Sequence, residues 1–243
     1  MFVSLAIIFL LMIPIVGYSL SERNQVSLRQ YLMLMRIIWL MILFWLLFFE
    51  PKNFIRWDLL EHYDELSNLR SNDFQYALNY GEYKGLPIAN IYFFLISRMK
   101  DNRLFSVIPL FIDGCAFIYI LKNSFQRERV VNFSHITFAT ILWWCTFGFK
   151  LSISGVRCVT AVAIVTVAIY KDAVKRERSL QVLLLYILPL MIHQFAIVPI
   201  VIRLFARVKH KSIGILAIPA VILFGPPVAR FLGSLTSNYY LQE

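Results

Sequence analysis

The chain has 243 residues, of which 59% are apolar and 16% charged, and a formal net charge of +10. Its mean hydropathy of +0.68 lies far above that of a soluble domain. A nucleic-acid footprint does not explain the basic excess, because the cations fall in short loops between apolar runs. No glycine-rich phosphate loop and no GxGxxG after a strand is present, so nucleotide-binding folds are excluded.

In chain order, the apolar runs of membrane-spanning length are Phe2–Leu20, Tyr31–Phe49, Leu104–Leu121, Val131–Phe149, Val156–Tyr170, Leu180–Ala206 and Ser212–Gly233. A helix needs about 20 such residues to cross the hydrocarbon. Backbone groups in lipid must pair internally, and the period-two alternation of a barrel is absent, so the runs predict helices. The expected fold is all-α: a polytopic transmembrane helical bundle forming a single integral membrane domain over 1–243. The first run lacks a basic leader and a small-x-small cleavage site, and is expected to be a retained helix.

Short loops rich in Lys and Arg stay on the cytoplasmic side. They are Arg23 and Arg29; Lys122, Arg127 and Arg129; Lys171, Lys175, Arg176 and Arg178; and Arg207, Lys209 and Lys211. The acidic residues concentrate between Glu50 and Glu82, which marks about 50–103 as a large external loop. Inside it, Leu86–Ser97 is too short to span and predicts an interfacial helix behind Gly85 and Pro87. The stretch 58–70 (DLLEHYDELSNLR) places Asp58, Glu61, Asp64 and Glu65 near one face if helical, most simply a solvated face; His62 is expected in solvent. Cys115, Cys145 and Cys158 have no metal-ligand spacing and read as free thiols, so neither a metal nor another cofactor is expected.

Residues 179–211 carry basic loops at both ends, which one straight helix cannot place on the same side. Pro189 and Pro199 bracket His193 and remove helical hydrogen bonds, so the expectation is a broken, re-entrant-like hairpin near His193. Irregular backbone at membrane depth needs protein or water beside it.

Two residues stand out for chemistry. Arg157 opens an apolar helix behind Ser152-Ile-Ser154-Gly155. One reading is an anchor that snorkels to the headgroups. The other is a phosphate clamp: a planar, permanently charged fork at a helix N-terminus, with Ser152 and Ser154 adding hydroxyls. His193 is either a hydrogen-bonded core residue or an acid, base or phosphate partner. Tyr63, with the other tyrosines of the external loop, offers flat surfaces suited to sugar rings.

The stretch from Ser154 to Phe205, SGVRCVTAVAIVTVAIYKDAVKRERSLQVLLLYILPLMIHQFAIVPIVIRLF, resembles the EpsG-like family of Wzy-type polysaccharide polymerases. An Arg-led helix, a basic turn and a helix ending in His carry the likeness. Upstream, the acidic Tyr-bearing loop near Asp58 and Tyr63, the Glu82-Tyr-Lys-Gly85 entry and the segment LPIANIYFFLISRMKDNRLFSVIPLFI are similar too. Cys158 after the arginine and Gln194-Phe195 after the histidine depart from the pattern. The resemblance implies a membrane glycosyltransferase acting on polyprenyl-pyrophosphate-linked oligosaccharides at the outer leaflet of the bacterial cytoplasmic membrane. Membrane lipid and other polysaccharide-assembly proteins would be its partners, and nucleic acid would not. It further implies Arg157 and His193 as catalytic, and Asp58, Tyr63, Glu82, Ser152 and Ser154 as substrate-binding. The competing readings are a multipass transferase that modifies surface sugars and a lipid-linked sugar transporter.

Overall fold

A computed structural model describes residues 25–48, 58–79, 86–126, 130–132, 135, 138–143 and 155–207. The expected helices at Phe2–Leu20 and Ser212–Gly233 lie outside these residues. The described chain is mostly helical and forms two compact units, each made of two separate stretches: Met1–Trp57 with Arg103–Val156, and Asp58–Asn102 with Arg157–Glu243.

The first unit is built on two long helices, α1 (Leu28–Leu47) and, later in the chain, α5 (Leu104–Ser124). Among the described residues these two are long and apolar enough to cross a membrane. Ser27 starts α1 because its hydroxyl accepts the Gln30 N–H, which would otherwise lack a helical partner. The helices run antiparallel: Tyr31, Leu32 and Met35 pack with Leu121 and Phe117, and Trp39 lies against Gly114. A Cβ at Gly114 would sit 2.9 Å from the Trp39 ring, so glycine is what lets the helices approach here.

Strand β1 (Gln25–Ser27) pairs antiparallel with β2 (Val130–Asn132), in the register Val26 opposite Val131. Two of the four loops expected on the cytoplasmic side are thereby joined at one end of the α1–α5 pair. Position 48, just before the expected external loop, and position 103, its last residue, fall at the other end. The run Val131–Phe149 does not begin as a helix, as the sequence suggested: Val131 and Asn132 belong to β2. Consecutive valines at 130 and 131 suit an extended ladder, and helix is described at 135 and 138–143. There the Thr140 hydroxyl meets the Tyr31 hydroxyl at 2.5 Å.

The second unit opens with α2 (Asp58–Arg70), α3 (Phe74–Leu78) and α4 (Pro87–Ser97). Along α2, Leu59, His62, Leu66 and Leu69 are buried at helical spacing, whereas Glu61 and Asp64 are exposed as a solvated face. His62 is therefore buried rather than solvated, because the helical period places it on the apolar stripe. Asp73 caps α3 by accepting the Tyr76 N–H at 2.7 Å. Pro87 sits in the first turn of α4, where its missing N–H is not needed. With 11 residues α4 is about 16 Å long, too short to cross, in line with the interfacial helix expected at Leu86–Ser97. Two arginines tie the C-terminal ends of α2 and α4 together. Arg70 donates to the Ser97 carbonyl (2.9 Å) and Arg98 to the Arg70 carbonyl (3.0 Å).

Helix α6 (Val156–Ile169) continues as a π-helical turn, Tyr170–Val174. Then follow α7 (Leu180–Leu190), a 3-10 turn at Gln194–Ala196 and α8 (Ile197–Phe205). The expected break near His193 is present, and the chain reverses there. One oxygen of Asp172 accepts from both Tyr186 on α7 (3.2 Å) and Arg203 on α8 (2.9 Å). In a continuous helix those two residues would stand about 25 Å apart.

Candidate functional site

His193 occupies the break itself. Its backbone is extended (φ −156°, ψ 129°), and its N–H donates to the Pro189 carbonyl at 2.9 Å, which closes the end of α7. Its ring caps the next turn: Nδ1 accepts the Phe195 N–H at 3.1 Å. That bond determines the tautomer. A nitrogen that accepts carries no proton, so the neutral imidazole holds its hydrogen on Nε2. Among the described residues Nε2 has no hydrogen-bond partner.

The break is held against α6 and α4. Ile192 and Ala196 pack on Ala161 and Val165, with Ile88 alongside. The Ala89 N–H, in the first turn of α4, donates to the Met191 carbonyl at 3.4 Å. Asn90 is buried one residue further on and anchors α4 by donating to the Leu78 carbonyl at 3.0 Å.

Arg157, in the first turn of α6, is half-buried. Its guanidinium carbon lies 5.8 Å from the centroid of the Phe93 ring, within cation–π range. The charge of Arg157 also reaches His193. Two residues far apart in sequence thus come within electrostatic range of each other, because the α7–α8 reversal packs on α6.

Phe93 links this pair to the acidic helix α2. The His62 ring meets it edge-on, with centroids 5.3 Å apart and planes at 83°. His62 Nδ1 is in turn 2.8 Å from Glu65 Oε2. Tyr92 packs beside Phe93 at 6.3 Å and lies within electrostatic range of Tyr63. Tyr63 itself is half-buried, and its carbonyl accepts the Ser67 hydroxyl at 2.8 Å. Asp58 is the first residue of α2. Glu82, Ser152 and Ser154 lie outside the described residues, as does Cys145. Cys115 is exposed and Cys158 half-buried, both as free thiols. His135 is exposed.

Three features were not singled out in the sequence. His62 and Phe93 belong to the aromatic contact that joins α2 to Arg157; the apolar stripe of α2 is the signal for the first. Asp172 forms a second polar centre at the other end of the α6–π helix. Its buried carboxylate accepts from Arg203, from Tyr186 and, in a short contact, from Arg207. Burial pushes this carboxyl up, but the two arginines outweigh it and hold it below the ordinary carboxylate range. Next to it Lys171 bonds Glu177 and Gln181, each at 3.0 Å. The third feature, Asp113 in the middle of α5, is fully buried; its signal is a lone acid inside an apolar run.

No family model, curated protein or solved structure matches this chain. Among the described residues no group of three or more His, Cys, Asp or Glu side chains forms a metal-binding cluster.

Proposed function

We propose that the chain is an integral membrane glycosyltransferase of the polymerase type. It joins polyprenyl-pyrophosphate-linked oligosaccharide units at the outer leaflet of the bacterial cytoplasmic membrane. The observation that carries this reading is that Arg157 lies within electrostatic range of His193 and against Phe93, which in turn meets the acidic, tyrosine-bearing helix α2. A membrane setting is supported by the two span-length helices and by the large apolar side chains that α1 leaves exposed, among them Met33, Leu40 and Phe44. The polytopic bundle with 50–103 outside is part of the proposal.

The substrate arrives activated, so the reaction needs no nucleotide. A hydroxyl oxygen of the acceptor unit attacks the anomeric carbon of the donor. The carbon–oxygen bond to pyrophosphate breaks, its electrons stay on the phosphate oxygen, and the hydroxyl proton passes to the released pyrophosphate. Arg157 stabilises the charge that develops on that leaving group with a planar fork of donors. His193 adds its Nε2–H to a phosphoryl oxygen. Its Nδ1 is already used as an acceptor, so the histidine suits phosphate binding better than proton abstraction. Asp58, Glu82 and Tyr63 orient the sugars, and the hydroxyls of Ser152 and Ser154 extend the anion site.

The test is Arg157→Lys, read as the length distribution of surface polysaccharide in cells that depend on this protein, with its membrane level measured in parallel. A lost transition-state donor lowers the rate by roughly 10²–10³, so long polymer should disappear while protein level holds. Lysine keeps a charge that can reach the interface but lacks the fork. Full-length polymer from the lysine variant would make Arg157 an anchor and end the polymerase reading.

A further inference from the structure

We propose that Asp113 is a reversible proton-binding site in the core of the first unit, taking up and releasing one proton at Oδ1. The carboxyl lies mid-way along α5 and is 0% exposed. Oδ2 accepts the Trp143 indole N–H at 3.4 Å, a long bond, and Oδ1 is buried with no hydrogen-bond partner among the described residues. An ionised carboxylate offers about four acceptor positions, and here one is filled. Holding a bare negative charge in such a place is far less favourable than holding a neutral acid, whose single unpaired O–H is a smaller loss.

Among the described residues Asp113 makes no ion pair. Trp39 of α1 covers the neighbouring Gly114, and the Trp143 ring is held by Phe117 at 5.2 Å. The titratable or charged groups on the packed elements are Arg29, Tyr31 and Arg36 of α1, and Cys115, Tyr119 and Lys122 of α5. Arg29, Arg36 and Cys115 are exposed, and Tyr31 bonds Thr140. Carboxyls that face the interior of a helical bundle within apolar segments are typical proton-relay positions. The balance is simple: carboxylate and hydronium give carboxylic acid and water. Asp113 belongs to the first unit, Arg157 and His193 to the second, and the proposal does not depend on the glycosyl-transfer reading.

The experiment is an infrared pH titration of the purified full-length chain in lipid nanodiscs, wild type against Asp113→Asn. At neutral pH a protonated-carboxyl C=O band should be present in the wild type and missing in the variant, and it should vanish reversibly in alkali. No such band at neutral pH would overturn the proposal, because Asp113 would then be ionised. So would a band that never titrates, or one that appears only after monovalent cations are dialysed away. Trp143→Phe keeps the aspartate and removes the one N–H that favours its charged form. The band should then persist to higher pH, and an unmoved titration would overturn the assigned geometry.

Discussion

Asp113 and Asp172 are both buried acids, and their surroundings could hardly differ more. Asp172 is met by two guanidinium groups and a phenol drawn from α7 and α8, so the site favours its charged form. Among the described residues Asp113 is met by one indole N–H, and its other oxygen has no donor. Burial alone does not decide what a carboxyl does. The number of donors turned toward it does, and those come from whichever helices the fold brings alongside.

The sharpest way to break this comparison is one substitution made twice. Asp172→Asn leaves two arginines facing a neutral amide. Removing one side of a buried ion pair costs about 3–5 kcal/mol; the low end, about 3 kcal/mol, is expected because Arg207 is 49% exposed. Asp113→Asn removes no charge partner and should cost about 1 kcal/mol or less. Reversible denaturation in detergent measures both, and equal losses would show that the two acids are held alike.

Acid should act on Asp172 in a definite direction. In the unfolded chain this carboxyl protonates near the ordinary value of 3.8, and in the folded chain it does so at lower pH. Its contribution is therefore whole above that ordinary value and is lost as pH falls through the folded one. Asp172→Asn should erase that part of the acid dependence, and an unchanged acid profile would mean the clamp contributes nothing.

The smallest effect concerns the turn beside the clamp. Arg176 has φ 55°, the left-handed conformation, and the Glu177 N–H closes back onto the Lys171 carbonyl at 3.0 Å. Glycine is the usual residue at such a helix end because a side chain there is strained. Arg176→Gly should raise stability by about 0.5 kcal/mol, which a denaturation midpoint resolves. A loss instead would show that the arginine side chain outweighs its strain.

Much of the local structure was legible from the residues. The solvated face expected along 58–70 is present at Glu61 and Asp64, and Pro87 announced the start of α4. The prolines around His193 marked the break. Each of these follows from neighbours within a turn or two, through helical period, capping and the missing proline N–H. The strand pair was not legible, because Val130 and Val131 need the distant Val26 and Ser27 to make a ladder. Nor was the contact of His62 with Phe93, or the partner set of Asp172.

Residue types alone determined that this chain is built from apolar helices, that its cations flank them, and that Arg157 and His193 deserved scrutiny. Only the tertiary structure brought that pair together, assigned the hydrogen of His193 to Nε2, and gave Asp172 its arginines while leaving Asp113 with one donor. The physical reason is range. Helix formation and capping act within a few residues, whereas charge pairing and the state of a buried acid depend on groups that meet only once distant helices pack.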